Sequence, residues 1–286
     1  MKQQGDAGGR QSERPQRGSF GSPRPVAVTV PVDLPEQNSA QRVHIDMVAL
    51  RASGYLPERE KDRAFAEHFR RVKRPLVEKA LAGNPHGNDP RILMIASALP
   101  GDGKTFTSIN LAFSLAHERD ISVLLVDADA AKQHSSAIMG LTAHRGLLDA
   151  LVDDTIDPES LVLPTNIRGL SLLPAGRRVD NATELFSSGR MRSMLANLCT
   201  RSPRRLVLLD SPPLLITNES QALVKMAGQV VLVVRAGATP RQAVQSCVDM
   251  FEETQAGGLV LNQVHTGLSD TYYGYGAYGY GTENND

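Results

Sequence analysis

The segment Ser97-Ala-Leu-Pro-Gly-Asp-Gly-Lys-Thr105 sets two glycines, a lysine and a hydroxyl at a spacing suited to holding phosphate. Gly101 and Gly103 let the backbone fold tightly, so that successive N–H groups point inward at phosphate oxygens. On this reading Lys104 reaches the β- and γ-phosphates of ATP and the Thr105 hydroxyl ligates Mg²⁺. Pro100, Gly101, Asp102, Gly103 and Phe106 complete the nucleotide site. One position departs from the strict pattern G-x-x-x-x-G-K-[ST]: Ala98 stands where the first glycine is expected. Three carboxylates follow apolar runs farther along. Leu124-Leu-Val-Asp-Ala-Asp129 carries Asp127 and Asp129, and Leu206-Val-Leu-Leu-Asp-Ser-Pro-Pro213 carries Asp210 in the Walker B position. A lone Asp after a strand is commonly a helix cap or turn former; three beside a phosphate loop exceed that explanation. Mg²⁺ is usually held by one or two carboxylates plus phosphate oxygens, which makes Asp210 a metal-shell candidate. Asp127 and Asp129 share metal binding and proton abstraction, and the sequence does not divide those roles. Asn262 suits either the adenine edge or a plain turn.

These residues need strand ends to hold them. Ile92–Ala96, Ser122–Val126, Leu170–Leu173, Leu206–Leu209, Val230–Val234 and Leu259–Asn262 read as strands, and their near-continuous apolar character suits a parallel sheet buried on both faces. Helical patterns fall between them at Lys104–Glu118, Thr183–Cys199, Asn218–Met226 and Pro240–Glu253, the last opening with Thr239 as N-cap and Pro240 in the first turn. This alternation predicts an α/β fold of the P-loop NTPase class, a doubly wound, mostly parallel sheet with helices on both faces. Its ligands bind at the carboxyl ends of the strands. Upstream, a short helical pattern covers Ile45–Leu50. A firmer one spans Glu58–Val72, with Phe65, Phe69 and Val72 on one face, and Pro75 interrupts it before a second piece ending near Ala82. The expected organisation is a disordered tail (1–44), a helical extension and linker (45–90), the P-loop domain (91–265) and a flexible Tyr/Gly-rich tail (266–286).

The 31 Lys+Arg balance the 31 Asp+Glu, which argues against a nucleic-acid partner. No apolar run approaches the roughly 20 residues of a membrane span, nor does the N-terminus carry a secretory pattern, so the sequence reads as cytoplasmic. Cys199 and Cys247 read as buried free thiols. Five of the six tyrosines, Tyr272, Tyr273, Tyr275, Tyr278 and Tyr280, fall in the last fifteen residues, separated mostly by glycine. Taken alone the segment could be a low-complexity end. Beside a phosphate loop it reads as a set of phosphoacceptors on a backbone thin enough to enter an active site.

The loop Ala-Leu-Pro-Gly-Asp-Gly-Lys-Thr, the Leu-Leu-Val-Asp-Ala-Asp and Leu-Leu-Asp-Ser-Pro-Pro motifs and the terminal tyrosine cluster together resemble the bacterial tyrosine kinases (BY-kinases). The resemblance runs from about Arg63 to the C-terminus and is strongest to the exosortase-associated, stand-alone autokinases of exopolysaccharide loci. It implies ATP-dependent autophosphorylation of the tail tyrosines between subunits of a homo-oligomeric ring. It also implies a membrane chain-length-determinant (Wzz-like) activator, which would recruit the chain to the inner face of the cell membrane, and a cognate tyrosine phosphatase. The family's Glu-x-x-Arg-x-x-Arg ring-assembly helix corresponds to Glu67, Arg70 and Lys73, with Lys in place of the last Arg. Ala130-Ala131-Lys132 stands where many members carry an arginine pair, leaving Lys132 as the nearby cation. The alternatives are a MinD/ParA-like ATPase switch, against which Leu99 weighs because those relatives place a lysine there, and a non-catalytic nucleotide-sensing scaffold.

Overall fold

The computed structural model describes residues 42–83, 87–202, 204–252 and 255–264. The expected N-terminal tail up to residue 41, part of the linker and the five tail tyrosines lie outside the described residues. Seven strands form one sheet: β1 (Ile92–Ser97), β2 (Ser122–Asp127), β3 (Leu163–Pro164), β4 (Leu170–Leu173), β5 (Arg205–Asp210), β6 (Gln229–Arg235) and β7 (Ala256–Asn262). Their order is β3-β4-β2-β5-β1-β6-β7. All neighbours run parallel except β3, which pairs antiparallel with β4.

The helices are α1 (Met47–Ala52), α2 (Asp62–Ala82), α3 (Lys104–Ala116), α4 (His134–Ile138), α5 (Leu147–Val152), α6 (Ala182–Ser187), α7 (Gly189–Thr200), α8 (Asn218–Val224) and α9 (Arg241–Val248). They cover both faces, which is why the strands read as unbroken apolar runs. In β1, Ile92, Met94 and Ala96 enter one core with Phe186 of α6 and Leu195 of α7, while Leu93 and Ile95 enter the other with Leu76 of α2 and Ile109 of α3. Among the described residues no helix is long and apolar enough to cross a membrane. Cys199 and Cys247 are free and buried, and burial pushes their thiols up to about 12 and about 11.

Several expected boundaries move for identifiable reasons. Pro75 does not interrupt its helix: α2 continues through it as one element, beginning at Asp62 after a 3₁₀ turn at Arg59–Lys61. Proline removes a backbone donor, but Lys73, Leu76 and Ala80 are buried on either side and anchor the helix across the gap. The expected Thr183–Cys199 helix is two, because Ser188 leaves helical geometry (φ −75°, ψ 155°) and its side chain caps α7 by accepting from Met191 N. α9 starts at Arg241 with Pro240 as its capping residue and ends at Val248, and Thr239 does not cap it. The short α4, α5 and β3 have no counterpart in the sequence reading. Val43 bridges Thr165 in parallel, and Asn166 Oδ1 accepts from Ile45 N at 2.9 Å, so the first described residues sit on the β3 edge.

Candidate active site

The loop between β1 and α3 is a turn that only glycine permits at two points. Gly101 and Gly103 have φ of +86° and +100°, the left-handed region. At Gly103 a Cβ would also come within 1.9 Å of Asn262 Nδ2. The buried Asp102 staples the loop: its Oδ2 accepts from Leu99 N at 3.0 Å and its Oδ1 from Thr239 Oγ1 at 2.8 Å. Asn262 Nδ2 donates to the Asp102 carbonyl at 2.9 Å, and Ser97 Oγ donates to Leu99 O at 2.8 Å. Asn262 therefore holds the loop from the end of β7. Ala98 is fully buried, and Pro100 and Gly101 are exposed at the crest. The Phe106 ring meets Phe65 of α2 edge-on at 6.0 Å.

Lys104 opens α3 and is buried. Burial lowers its ammonium below the ordinary lysine range, opposed by the charges of Asp210 and Asp129. Asp127 and Asp210 end adjacent parallel strands at matched register. Asp210 Oδ1 accepts from Ser108 Oγ at 3.0 Å, its Oδ2 accepts from Ser135 Oγ, and the Thr105 hydroxyl lies close enough to favour the ionised carboxyl. Asp127 Oδ2 accepts from Ser136 N at 2.7 Å and Oδ1 from Asp129 N at 3.2 Å. Asp129 Oδ1 accepts from Lys132 N at 2.9 Å. Burial, reinforced by the charge of Asp210, pushes the Asp127 carboxyl up to about 7. Burial raises Asp210 as well, against the pull of Ser135 and Lys104.

Among the described residues no three His, Cys, Asp or Glu side chains gather as a self-sufficient metal site. The donors present are the Thr105 hydroxyl and a carboxylate pair already bonded to serines. That set fits Mg²⁺, which keeps several waters and relies on substrate phosphates.

The structure thus brings together the expected Lys104, Thr105, Asp127, Asp129 and Asp210. It separates Lys73 from Glu67 and Arg70. The latter two form an exposed i,i+3 pair at 2.7 Å, whereas Lys73 turns inward to Glu118 (2.7 Å) and the Ser114 carbonyl (2.7 Å). Sequence reasoning missed Ser108, Ser135, Ser136 and Thr239. Ser108 follows Lys104 by one helical turn, a legible signal; the other three are recruited by tertiary contacts and carry none.

A glycine-rich loop on β1, a lysine opening α3 and carboxylates ending β2 and β5 define a P-loop nucleotide-binding protein. The family model described as an AAA domain (AAA_31) matches residues 90–262. The tyrosine-protein kinase YwqD of Bacillus subtilis is 30% identical over 195 residues, covering 68% of this chain and 78% of that protein. The tyrosine-protein kinase Wzc of Salmonella typhimurium is 32% identical over 196 residues, 66% of this chain but 26% of Wzc, so the chain spans about a quarter of that relative's length. The BceF tyrosine kinase domain superposes with a TM-score of 0.61 at 28% identity, covering 76% of this chain and 86% of that one. The chain belongs to the bacterial tyrosine kinases.

Proposed function

We propose that the chain is an ATP-dependent protein-tyrosine autokinase that phosphorylates its own Tyr272, Tyr273, Tyr275, Tyr278 and Tyr280, in trans within an oligomer, and so regulates exopolysaccharide polymerisation or export. The observation that carries this reading is the pair of buried carboxylates, Asp127 and Asp210, at the mouth of the Lys104 loop. The loop N–H groups and Lys104 hold the phosphates. Thr105 and Asp210 hold Mg²⁺, with Asp127 and Asp129 beside them. When bound, the cation neutralises charge on the β- and γ-phosphates. The phenol oxygen bonds to the γ-phosphorus as the bond to the β,γ-bridging oxygen breaks. ADP leaves, and the phenolic proton passes to a carboxylate, for which Asp127 is best placed because backbone N–H groups fix both its oxygens.

The partners belong to the same proposal: a membrane chain-length-determinant activator, a tyrosine phosphatase and further copies of the chain, with recruitment to the inner face of the membrane. The test is incubation of the purified chain with ATP and Mg²⁺ and mass-spectrometric mapping of phosphate. Label on the tail tyrosines that Lys104→Met reduces at least 100-fold is the expected result. ATP turnover with no phosphotyrosine, even when the activator is added, would reject the kinase reading in favour of an ATPase switch.

A further inference from the structure

Two arginines outside the machinery above converge on a buried carboxylate at the carboxyl-end rim of the sheet. Asp149 of α5 is 3% exposed. Its Oδ2 accepts from Gly146 N at 2.9 Å and from Arg177 N at 3.1 Å, while Arg177 Nε donates to Oδ1 at 2.7 Å. Arg145 Nε lies 4.0 Å from the same Oδ1, and its Nη2 lies 4.0 Å from Asp153. Burial works to raise the Asp149 carboxyl, but the Arg177 side chain and the backbone donors outweigh it and hold it below its ordinary value. The two guanidinium side chains nevertheless stand in solvent, Arg177 79% and Arg145 53% exposed. Neither Nη of Arg177 has a hydrogen bond among the described residues. A buried, donor-saturated carboxylate thus orients an arginine whose fork is left open.

This rim is wired to the active site. Ser136, whose N–H bonds Asp127, accepts from Ala175 N through its hydroxyl at 3.0 Å, and Arg177 follows two residues later. Gln133 Nε2 donates to Gly176 O at 3.0 Å, which brings the neighbouring exposed Lys132 to the same edge. Sheet order sets the separation from the nucleotide. β4, which leads into the Arg177 loop, lies three strands from β1, about 14 Å at roughly 4.8 Å per strand. The loop after β4 stands beside β2, which ends at Asp127. It is within reach of a polypeptide that has delivered a tyrosine to Asp127, since an extended chain covers about 10 Å in three residues. At that interval the C-terminal sequence repeatedly pairs a phenol with an acid or a second phenol: Asp270 with Tyr273, Tyr272 with Tyr275, Tyr275 with Tyr278, and Tyr280 with Glu283.

We infer that Arg177, with Arg145 beside it, docks an anionic group about three residues from the tyrosine being phosphorylated. The first such group is a carboxylate, Asp270 or Glu283, and later ones are phosphotyrosines made in earlier turnovers. The planar guanidinium pairs with phosphate through two parallel N–H bonds, and a phosphotyrosine carries about −1.5 to −2 charges where the phenol carried none. Each phosphate added then strengthens binding of the next acceptor, so phosphorylation runs in sequence along the tail. This inference rests on the autokinase reading for its substrate, but the docking site is tested without turnover.

Peptides of residues 266–286, unmodified or phosphorylated at Tyr275, are titrated by fluorescence anisotropy against the full chain carrying Lys104→Met. The phosphopeptide is expected to bind at least 10-fold more tightly. Adding Arg145→Gln and Arg177→Gln together brings the two peptides within 3-fold of each other, while Arg177→Lys retains part of the preference. Thermal melting reports on the fold; if the double variant melts early, Arg145→Gln and Arg177→Lys singly decide. Equal affinity for both peptides, or a preference that survives loss of the arginines, overturns the inference. In a parallel time course with ATP, the wild-type chain accumulates multiply phosphorylated tails, whereas Arg177→Gln is slowed at the first phosphate and more strongly at each later one. A wild-type chain that makes no phosphotyrosine rejects the kinase reading, and the peptide titration still decides the docking site.

Discussion

At Asp102 the phosphate loop depends on residues far away in sequence. Its two carboxylate oxygens are satisfied by Leu99 N from within the loop and by Thr239 Oγ1 from the turn after β6, and Asn262 at the end of β7 takes its carbonyl. Thr239 Oγ1 also accepts from Arg235 N at 2.9 Å, so one hydroxyl joins the end of β6 to the loop. Thr239→Val keeps the shape and removes the hydroxyl, leaving a buried carboxylate oxygen without its donor. Stranding a buried polar group costs about 1–3 kcal/mol. Chemical denaturation should show a loss in that range, with ATP-analogue affinity weakened several-fold and both recovered in Thr239→Ser. An unchanged midpoint in Thr239→Val would mean that the loop does not need this bond. The sequence reading treats Thr239 as a helix cap because a Thr-Pro pair before a helix normally is one. The pull of a buried carboxylate outweighs that local preference.

Among the elements, α2 shows where a charge pattern divides between surface and interior. Glu67 and Arg70 pair in solvent, and an exposed i,i+3 pair contributes little. Lys73, 9% exposed, binds Glu118 and the Ser114 carbonyl and so fastens α2 to the end of α3. Lys73→Met preserves the side-chain length and removes the ammonium; it should lower stability by about 1–2 kcal/mol, whereas Arg70→Ala should stay within about 0.5 kcal/mol. Equal effects in urea denaturation would contradict this division. The same contrast explains what was legible in the sequence. The six long strands were, since burial on both faces leaves an uninterrupted apolar record. So was the grouping of Lys104 and Thr105 at the start of α3 with the three aspartates at the ends of β2 and β5, because a phosphate loop calls for those residue types at those places. The break at Ser188 was not, for a serine interrupts no hydrophobic period until its side chain turns to cap α7. Nor were α4 and its Ser135 and Ser136, whose role comes from the strands they happen to face.

For the molecule as a whole, the cost of gathering two buried carboxylates should appear as a dependence of stability on pH. The carboxyl of Asp127 is raised from an ordinary value of 3.8 to about 7, chiefly by burial, and Asp210 is raised in the same direction. Between about pH 4 and 7 the folded protein therefore keeps a proton at Asp127 that the unfolded chain has lost. Folding takes up protons in that window, so stability is greatest at its acidic end and falls as pH rises through it. The slope is about 1.4 kcal/mol per pH unit for each proton retained. Lys104 works in the opposite sense at higher pH: burial depresses its ammonium, so the folded chain releases a proton that the unfolded chain still holds, and stability recovers toward the ordinary lysine range. Replacing Asp127 with Asn removes the titrating group and should flatten the decline between pH 4.5 and 6.5 by about 1 kcal/mol per pH unit, leaving the portion due to Asp210. The measurement is urea denaturation of the nucleotide-free protein at several pH values in parallel with the Asp127→Asn variant. Identical slopes for the two proteins would show that Asp127 is already ionised in the fold. The opposing burial cost would then lie elsewhere in the molecule, with Asp210 as the remaining carboxyl to account for it.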